Sequence, residues 1–157
     1  MRLAEFGIIF LLGFFSCVLL FSFSSSSDLE MPFGFGGEGI HAPLDRISED
    51  DIIVGDDTVI LKVTNATISR YSGTGSMRPV LDSGANGIRI VPMVEDDVEV
   101  GDIVTFRSGE NLIVHRVVIK GVDSEGVYFV TKGDNNDFDD GKIRFSDILY
   151  VTVGILY

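Results

Sequence analysis

Three segments of the chain carry side chains of the kind that do chemistry. The first is Tyr71-Ser-Gly-Thr-Gly-Ser-Met-Arg-Pro79, set between two strand-like runs and therefore a loop. Gly73 and Gly75 open backbone conformations closed to other residues, and Pro79 stiffens the exit. A serine there, with amide N–H groups beside it, has the makings of a nucleophile with an oxyanion site. The same composition also describes an ordinary turn. The second is His115, within Asn-Leu-Ile-Val-His-Arg-Val-Val-Ile119. Strand alternation puts Ile113, His115, Val117 and Ile119 on one face and Val114, Arg116 and Val118 on the other. A partly desolvated imidazole tends to stay neutral and can act as a general base, although a core histidine held by a backbone bond has the same pattern. The third is Lys132-Gly-Asp-Asn-Asn-Asp-Phe-Asp-Asp-Gly141. A carboxylate from it could orient His115 and stabilise its imidazolium form. A calcium loop is a poor match, since Phe138 and Asp140 fall where a ligand and a glycine are required. A solvated hairpin turn fits the same acids.

These segments need a scaffold, and the sequence points to β structure. From about residue 51, runs rich in Val, Ile and Phe alternate with Gly and Asp clusters: DIIVG, TVILKVTN, GIRIVP, DIVTFRS, LIVHRVVIKGV, GVYFVTKGD and DILYVTVGILY. No stretch there has the period of an amphipathic helix. The expected fold is a mostly β, small barrel or sandwich domain over residues 51–157. Ahead of it, residues 24–50 hold four consecutive serines, several glycines, Pro32 and Pro43, and read as a connector. His41 lies in this connector without a companion ligand and reads as a solvated loop histidine.

Phe6 to Phe23 carries no charge, and about 20 apolar residues are needed to cross a bilayer. The run is long for the apolar core of a cleaved signal peptide, so residues 1–23 are expected to be one N-terminal membrane anchor, with its span at 6–23. Cys17 reads as a small hydrophobe within it. Arg2 precedes the run, whereas Asp28 and Glu30 follow it and the next basic residue is Arg46. The positive-inside rule then puts the N-terminus in the cytoplasm and the remainder outside, extracytoplasmic or lumenal. The formal net charge of −12 argues against a nucleic-acid groove, which needs a basic stripe. A single cysteine excludes an internal disulfide framework and a cysteine-based zinc site. Nothing in the chain calls for a cofactor or metal. Asn65-Ala-Thr67 matches a glycosylation sequon, a triplet common by chance.

Taken together, the segments resemble the type I signal peptidases, and more narrowly their archaeal and endoplasmic-reticulum branch. The resemblance rests on Gly75-Ser-Met-Arg-Pro79, Val100-Gly-Asp-Ile-Val104, Ile113-Val-His-Arg-Val-Val118 and Lys132-Gly-Asp-Asn-Asn136, in that order behind an apolar N-terminus. It implies a signal-peptidase-like β domain with Ser76 as nucleophile and His115 as general base, where the bacterial branch has a lysine. It further implies Asp140 as the acid of the relay, Asp134 as a second important aspartate, and an oxyanion hole formed by the Ser76 amide with the Thr74 hydroxyl. Asp137 and Asp139 crowd the acid position, so the orienting carboxylate remains open among these aspartates. Leu81-Asp-Ser-Gly-Ala-Asn-Gly87 departs from the loop expected after Ser-Met-x-Pro. The implied activity is cleavage of signal peptides, with small residues at the first and third positions before the cut. The implied partners are signal-peptide-bearing preproteins and the lipid bilayer, with the protein-export channel or accessory subunits as further candidates. The rivals are a dedicated protease for a few exported precursors and a catalytically silent β-domain binding or scaffold protein on the same anchor.

Overall fold

A computed structural model describes residues 40–157. The predicted anchor 1–23 and the greater part of the connector 24–50 lie outside the described residues. No helix among the described residues is long and apolar enough to cross a membrane.

Nine strands account for nearly all regular structure: β1 (Ile52–Val54), β2 (Val59–Leu61), β3 (Thr67–Arg70), β4 (Asn86–Ile90), β5 (Ile103–Ser108), β6 (Asn111–Asp123), β7 (Gly126–Lys132), β8 (Lys142–Ile143) and β9 (Ile148–Leu156). Three single turns of 3₁₀ helix, at Glu49–Asp51, Glu95–Asp97 and Phe145–Asp147, are the helical elements described. β1 and β2 form a separate ribbon, and the other strands make one antiparallel sheet in the order β3-β4-β9-β5-β6-β7-β8. The sheet is mostly-β as expected, but β3 and β8 stand at its two edges and do not pair with each other, so its ladder is open.

β5 shows why the sequence folds this way. Its run Ile-Val-Thr-Phe has no polar alternation, because both faces are covered. Val104 and Phe106 enter one core with Val98, Val117, Phe129, Ile143, Ile148 and Val151. Ile103 enters a second, with Tyr71, Met77, Leu81 and Ala85. The intervening Thr105 is 2% exposed, and its hydroxyl has no hydrogen-bond partner among the described residues. β6 follows the expected alternation only as far as Val117. A register irregularity against β7 between Val117 and Ile119 resets the phase, so Ile119 lies exposed rather than beside His115.

Residues 40–50 fall in the same compact unit as the strands. Asp102, fully buried, accepts from the Arg46 guanidinium at 2.7 and 2.6 Å and from the Leu44 amide at 3.1 Å. His41 is exposed, and its carbonyl accepts from Arg116 at 3.4 Å.

At the far edge, Asp123 joins the β6–β7 hairpin to β8. It accepts from Lys142 at 2.8 Å and lies 3.0 Å from the Arg144 guanidinium. Hydrogen bonds from Arg144, then Lys142, then the Glu125 amide hold its carboxyl well below the ordinary 3.8. A depressed carboxyl stabilises the fold above its unfolded value, and that contribution disappears as pH falls through the lowered value. Asp123→Asn is therefore expected to melt below wild type at neutral pH. The gap should begin to close below about pH 4 and vanish in stronger acid, as read by thermal melts across the series.

Candidate active site

Residues 71–85 form the loop between β3 and β4 that carries Ser76. Apolar anchors hold its shape: Tyr71, Met77, Leu81 and Ala85 are buried together in the second core. The Tyr71 amide donates to the Ala85 carbonyl at 3.2 Å, closing the loop's base, and the Leu81 amide donates to the Met77 carbonyl at 2.8 Å. The Tyr71 hydroxyl also meets the Thr152 hydroxyl on β9 at 3.1 Å. Gly75, at φ 78°, takes the left-handed turn immediately before the serine.

A second segment clamps the loop from outside. The turn after β7 sends the Asn135 amide to the Ser76 carbonyl at 2.8 Å and the Asn135 side-chain amide to the Gly75 carbonyl at 3.1 Å. Gly133 makes this approach possible, since a Cβ there would lie 2.7 Å from the Ser76 carbonyl oxygen.

His115 projects from β6, with its side chain 8% exposed and its ring 6.4 Å from that of Phe106. Its Nδ1 lies 2.7 Å from Asp140 Oδ2, and its Nε2 lies 3.1 Å from Ser76 Oγ. An ionised carboxylate only accepts, so the proton belongs on Nδ1. The neutral ring then offers the Nε2 lone pair to the serine hydroxyl. The Thr131 hydroxyl on β7 donates to the same Asp140 oxygen at 2.8 Å, and the Asp140 amide donates to the Thr131 carbonyl at 2.8 Å. Asp140 is thereby fixed by the adjacent strand although it lies beyond the regular structure. Thr74 Oγ1 is 3.2 Å from Ser76 Oγ and accepts from the Ser76 amide at 3.5 Å.

The structure thus brings Ser76, His115, Asp140 and Thr74 together and leaves Asp134 apart. Asp134 forms a two-pronged pair with Arg116, at 2.8 Å to both Nε and Nη2, and the two side chains are 2% and 6% exposed. Arg116 also donates to the Gly101 carbonyl at 2.7 Å. The pair ties the turn that contacts the serine loop to β6. Asp137 and Asp139 are exposed, and among the described residues Asp139 accepts only from the Gly141 amide, at 2.9 Å. Among the described residues, the hydrogen-bond partners of Ser76 Oγ are Thr74 and His115, with no lysine among them. No group of three or more His, Cys, Asp or Glu there is placed to hold a metal ion.

Sequence reasoning overlooked Thr131 and the Arg116–Asp134 and Arg46–Asp102 pairs. The signal for the last was Asp102 within the apolar run Val100-Gly-Asp-Ile-Val104, because a buried acid requires a partner.

Ser76 and His115 open onto a cavity of about 470 Å³ whose lining also includes Thr74, Thr105, Val114, Arg70 and Arg89. A serine hydroxyl hydrogen-bonded to an imidazole that is itself bonded to a carboxylate, beside such a cavity, has the arrangement that acyl transfer requires.

Comparison with known proteins finds relatives among signal peptidase subunits. Over 70 residues, 43% of this chain, it is 39% identical to the signal peptidase complex catalytic subunit SEC11C of Homo sapiens, Mus musculus and Canis lupus familiaris. The match spans 36% of each of those proteins, so the chain covers about a third of their length. No family model and no solved structure matches the chain.

Removing one partner of a buried ion pair leaves the other charge uncompensated, which typically costs about 3–5 kcal/mol. Asp134→Ala is expected to destabilise on that scale in chemical denaturation. Pairing it with Arg116→Met should recover a large part of the loss, because the orphaned cation is removed as well.

Proposed function

We propose that this chain is a membrane-anchored serine endopeptidase that removes signal peptides from exported or secreted preproteins. The observation that carries this reading is the unbroken hydrogen-bonded path from Ser76 Oγ through His115 to Asp140, with contacts of 3.1 and 2.7 Å. The partial identity to signal peptidase catalytic subunits supports the substrate class.

In the proposed reaction, a peptide carbonyl enters the cleft beside Ser76. As Oγ attacks the carbonyl carbon, His115 Nε2 takes the hydroxyl proton, and Asp140 stabilises the imidazolium that forms. The carbonyl oxygen becomes an oxyanion held by the Ser76 amide and the Thr74 hydroxyl. Nε2 then gives its proton to the leaving amine, and the acyl-enzyme forms. Water, activated by the same nitrogen, releases the cleaved signal peptide. The charge-free run 6–23 serves as the anchor and keeps the site at the outer membrane face. Enzyme and signal peptide then meet in two dimensions at raised effective concentration. The relatives are named as subunits of a complex, and accessory subunits enter the proposal on that ground.

Detergent-solubilised protein incubated with a labelled preprotein tests this reading, with the cut mapped by mass spectrometry. Ser76→Ala is expected to abolish cleavage, and His115→Ala and Asp140→Asn to lower kcat by roughly 10²- to 10⁴-fold with the fold intact. Thr74→Val is expected to cost about 2.7–4 kcal/mol of transition-state stabilisation with KM little changed. Wild-type rates from Ser76→Ala would overturn the assignment. Replacing Lys62, Lys120, Lys132 and Lys142 one at a time should leave the chemistry in place, and a single silencing lysine in a folded protein would point to a serine–lysine dyad instead.

A further inference from the structure

The chain carries 24 acidic residues, yet among the described residues no Asp or Glu lines the cavity that Ser76 and His115 open onto. Its charged lining beyond the catalytic end consists of Arg70 and Arg89. Arg89 is held in a particular pose. Its guanidinium carbon lies 3.8 Å from the centre of the Tyr150 ring, and its Nε donates to the Thr67 hydroxyl at 3.2 Å. Stacking and the Nε bond fix the plane of the group. Neither of its Nη nitrogens has a hydrogen-bond partner among the described residues, and neither arginine forms an ion pair there. In contrast, Arg46, Arg78, Arg116 and Arg144 each pair with a carboxylate. Thr105, whose hydroxyl lacks a partner, pairs across the sheet with Tyr150, the residue beneath Arg89.

Resting on the protease reading above, we infer that Arg89, backed by Arg70, forms a carboxylate-binding subsite in the cleft, which selects peptides bearing an Asp or Glu side chain at one fixed distance from the cut. An immobilised guanidinium with two free Nη groups matches the two oxygens of a carboxylate. Placing it in a partly enclosed cleft makes the pairing stronger than at an open surface. Lining without competing carboxylates leaves the arginines available. The surrounding negative charge of the molecule disfavours acidic peptides everywhere else, so an acid is accepted at this one place and not along the rest of the surface.

The test uses the full chain carrying Ser76→Ala, so that binding is read without turnover. Fluorescent peptides spanning a cleavage site carry a single Glu or Gln at each position in turn, and affinity is read by anisotropy. The Glu peptide is expected to bind about tenfold more tightly than its Gln twin at one position, with the ratio shrinking at raised salt. Arg89→Gln should bring that ratio near one, Arg89→Lys should keep part of it, and Arg107→Gln, an exposed arginine outside the cavity, should leave it intact. The same Glu-to-Gln ratio is then read in kcat/KM with Ser76 present. A ratio near one at every position, or one that survives Arg89→Gln in a folded protein, overturns the subsite. So does a result in which Arg89→Gln weakens binding only to vesicles of anionic lipid, which would assign the arginines to a headgroup. A Glu preference in binding without cleavage of any peptide by wild type would keep the subsite and reject the protease.

Discussion

The hydroxyl and the imidazole come from opposite sides of the sheet order, and a main-chain bond keeps their two supports in register. The Asn135 amide reaches the Ser76 carbonyl from the turn that follows β7, the strand paired with the one bearing His115. The serine loop has no ladder of its own, and this bond, with the Asn135 side-chain bond to Gly75, joins it to the turn after β7 while its buried side chains pack it onto the sheet. The bond in turn depends on two devices. Gly133 lets two backbones meet where a methyl group would separate them. The Arg116–Asp134 pair fixes the turn from beneath, using the residue next to His115 along the strand. The strand that bears the imidazole therefore also supplies the support for the serine hydroxyl.

Much of this was legible in the residues because it is written in short local patterns. The apolar run of β5 and the alternation around His115 reveal strands, and the Gly-Ser-rich segment reveals the loop between them. What lay beyond reach was whatever depends on a partner distant in sequence. β8 is two residues long and is a strand only because it borders β7, and β3 is exposed along most of its length. Neither has the apolar content to stand out. The irregularity after Val117 arises from pairing with β7, so alternation read along β6 alone runs past it. The contact of Asp140 rather than Asp137 or Asp139 with the imidazole follows from its backbone bond to Thr131, which no spacing rule encodes. Asp134 carried the strongest motif signal of the acidic segment, and its partner is the guanidinium beside the histidine. Motif membership reported that the residue matters without reporting what it touches.

Charge is distributed against the overall balance of the molecule. An excess of carboxylates on the exterior raises the cost of bringing an anionic ligand near. The cleft interrupts that field with two guanidiniums and an imidazole. The other described ion pairs are structural: Arg46 with Asp102 ties down residues 40–50, and Arg144 and Lys142 with Asp123 secure the far edge. Cations that hold the fold together are matched by acids, whereas those facing the cleft are not.

The position of β9 bears on the life of the newly made chain. Although it follows the other described strands in sequence, it lies between β4 and β5, and through it the ladder bearing the serine loop joins the ladder bearing the histidine. A polypeptide still tethered to the ribosome short of Ile148 has both reactive groups but no continuous sheet to align them. The hydroxyl and the imidazole are therefore aligned only once the chain has been made through β9 and that strand has entered the sheet.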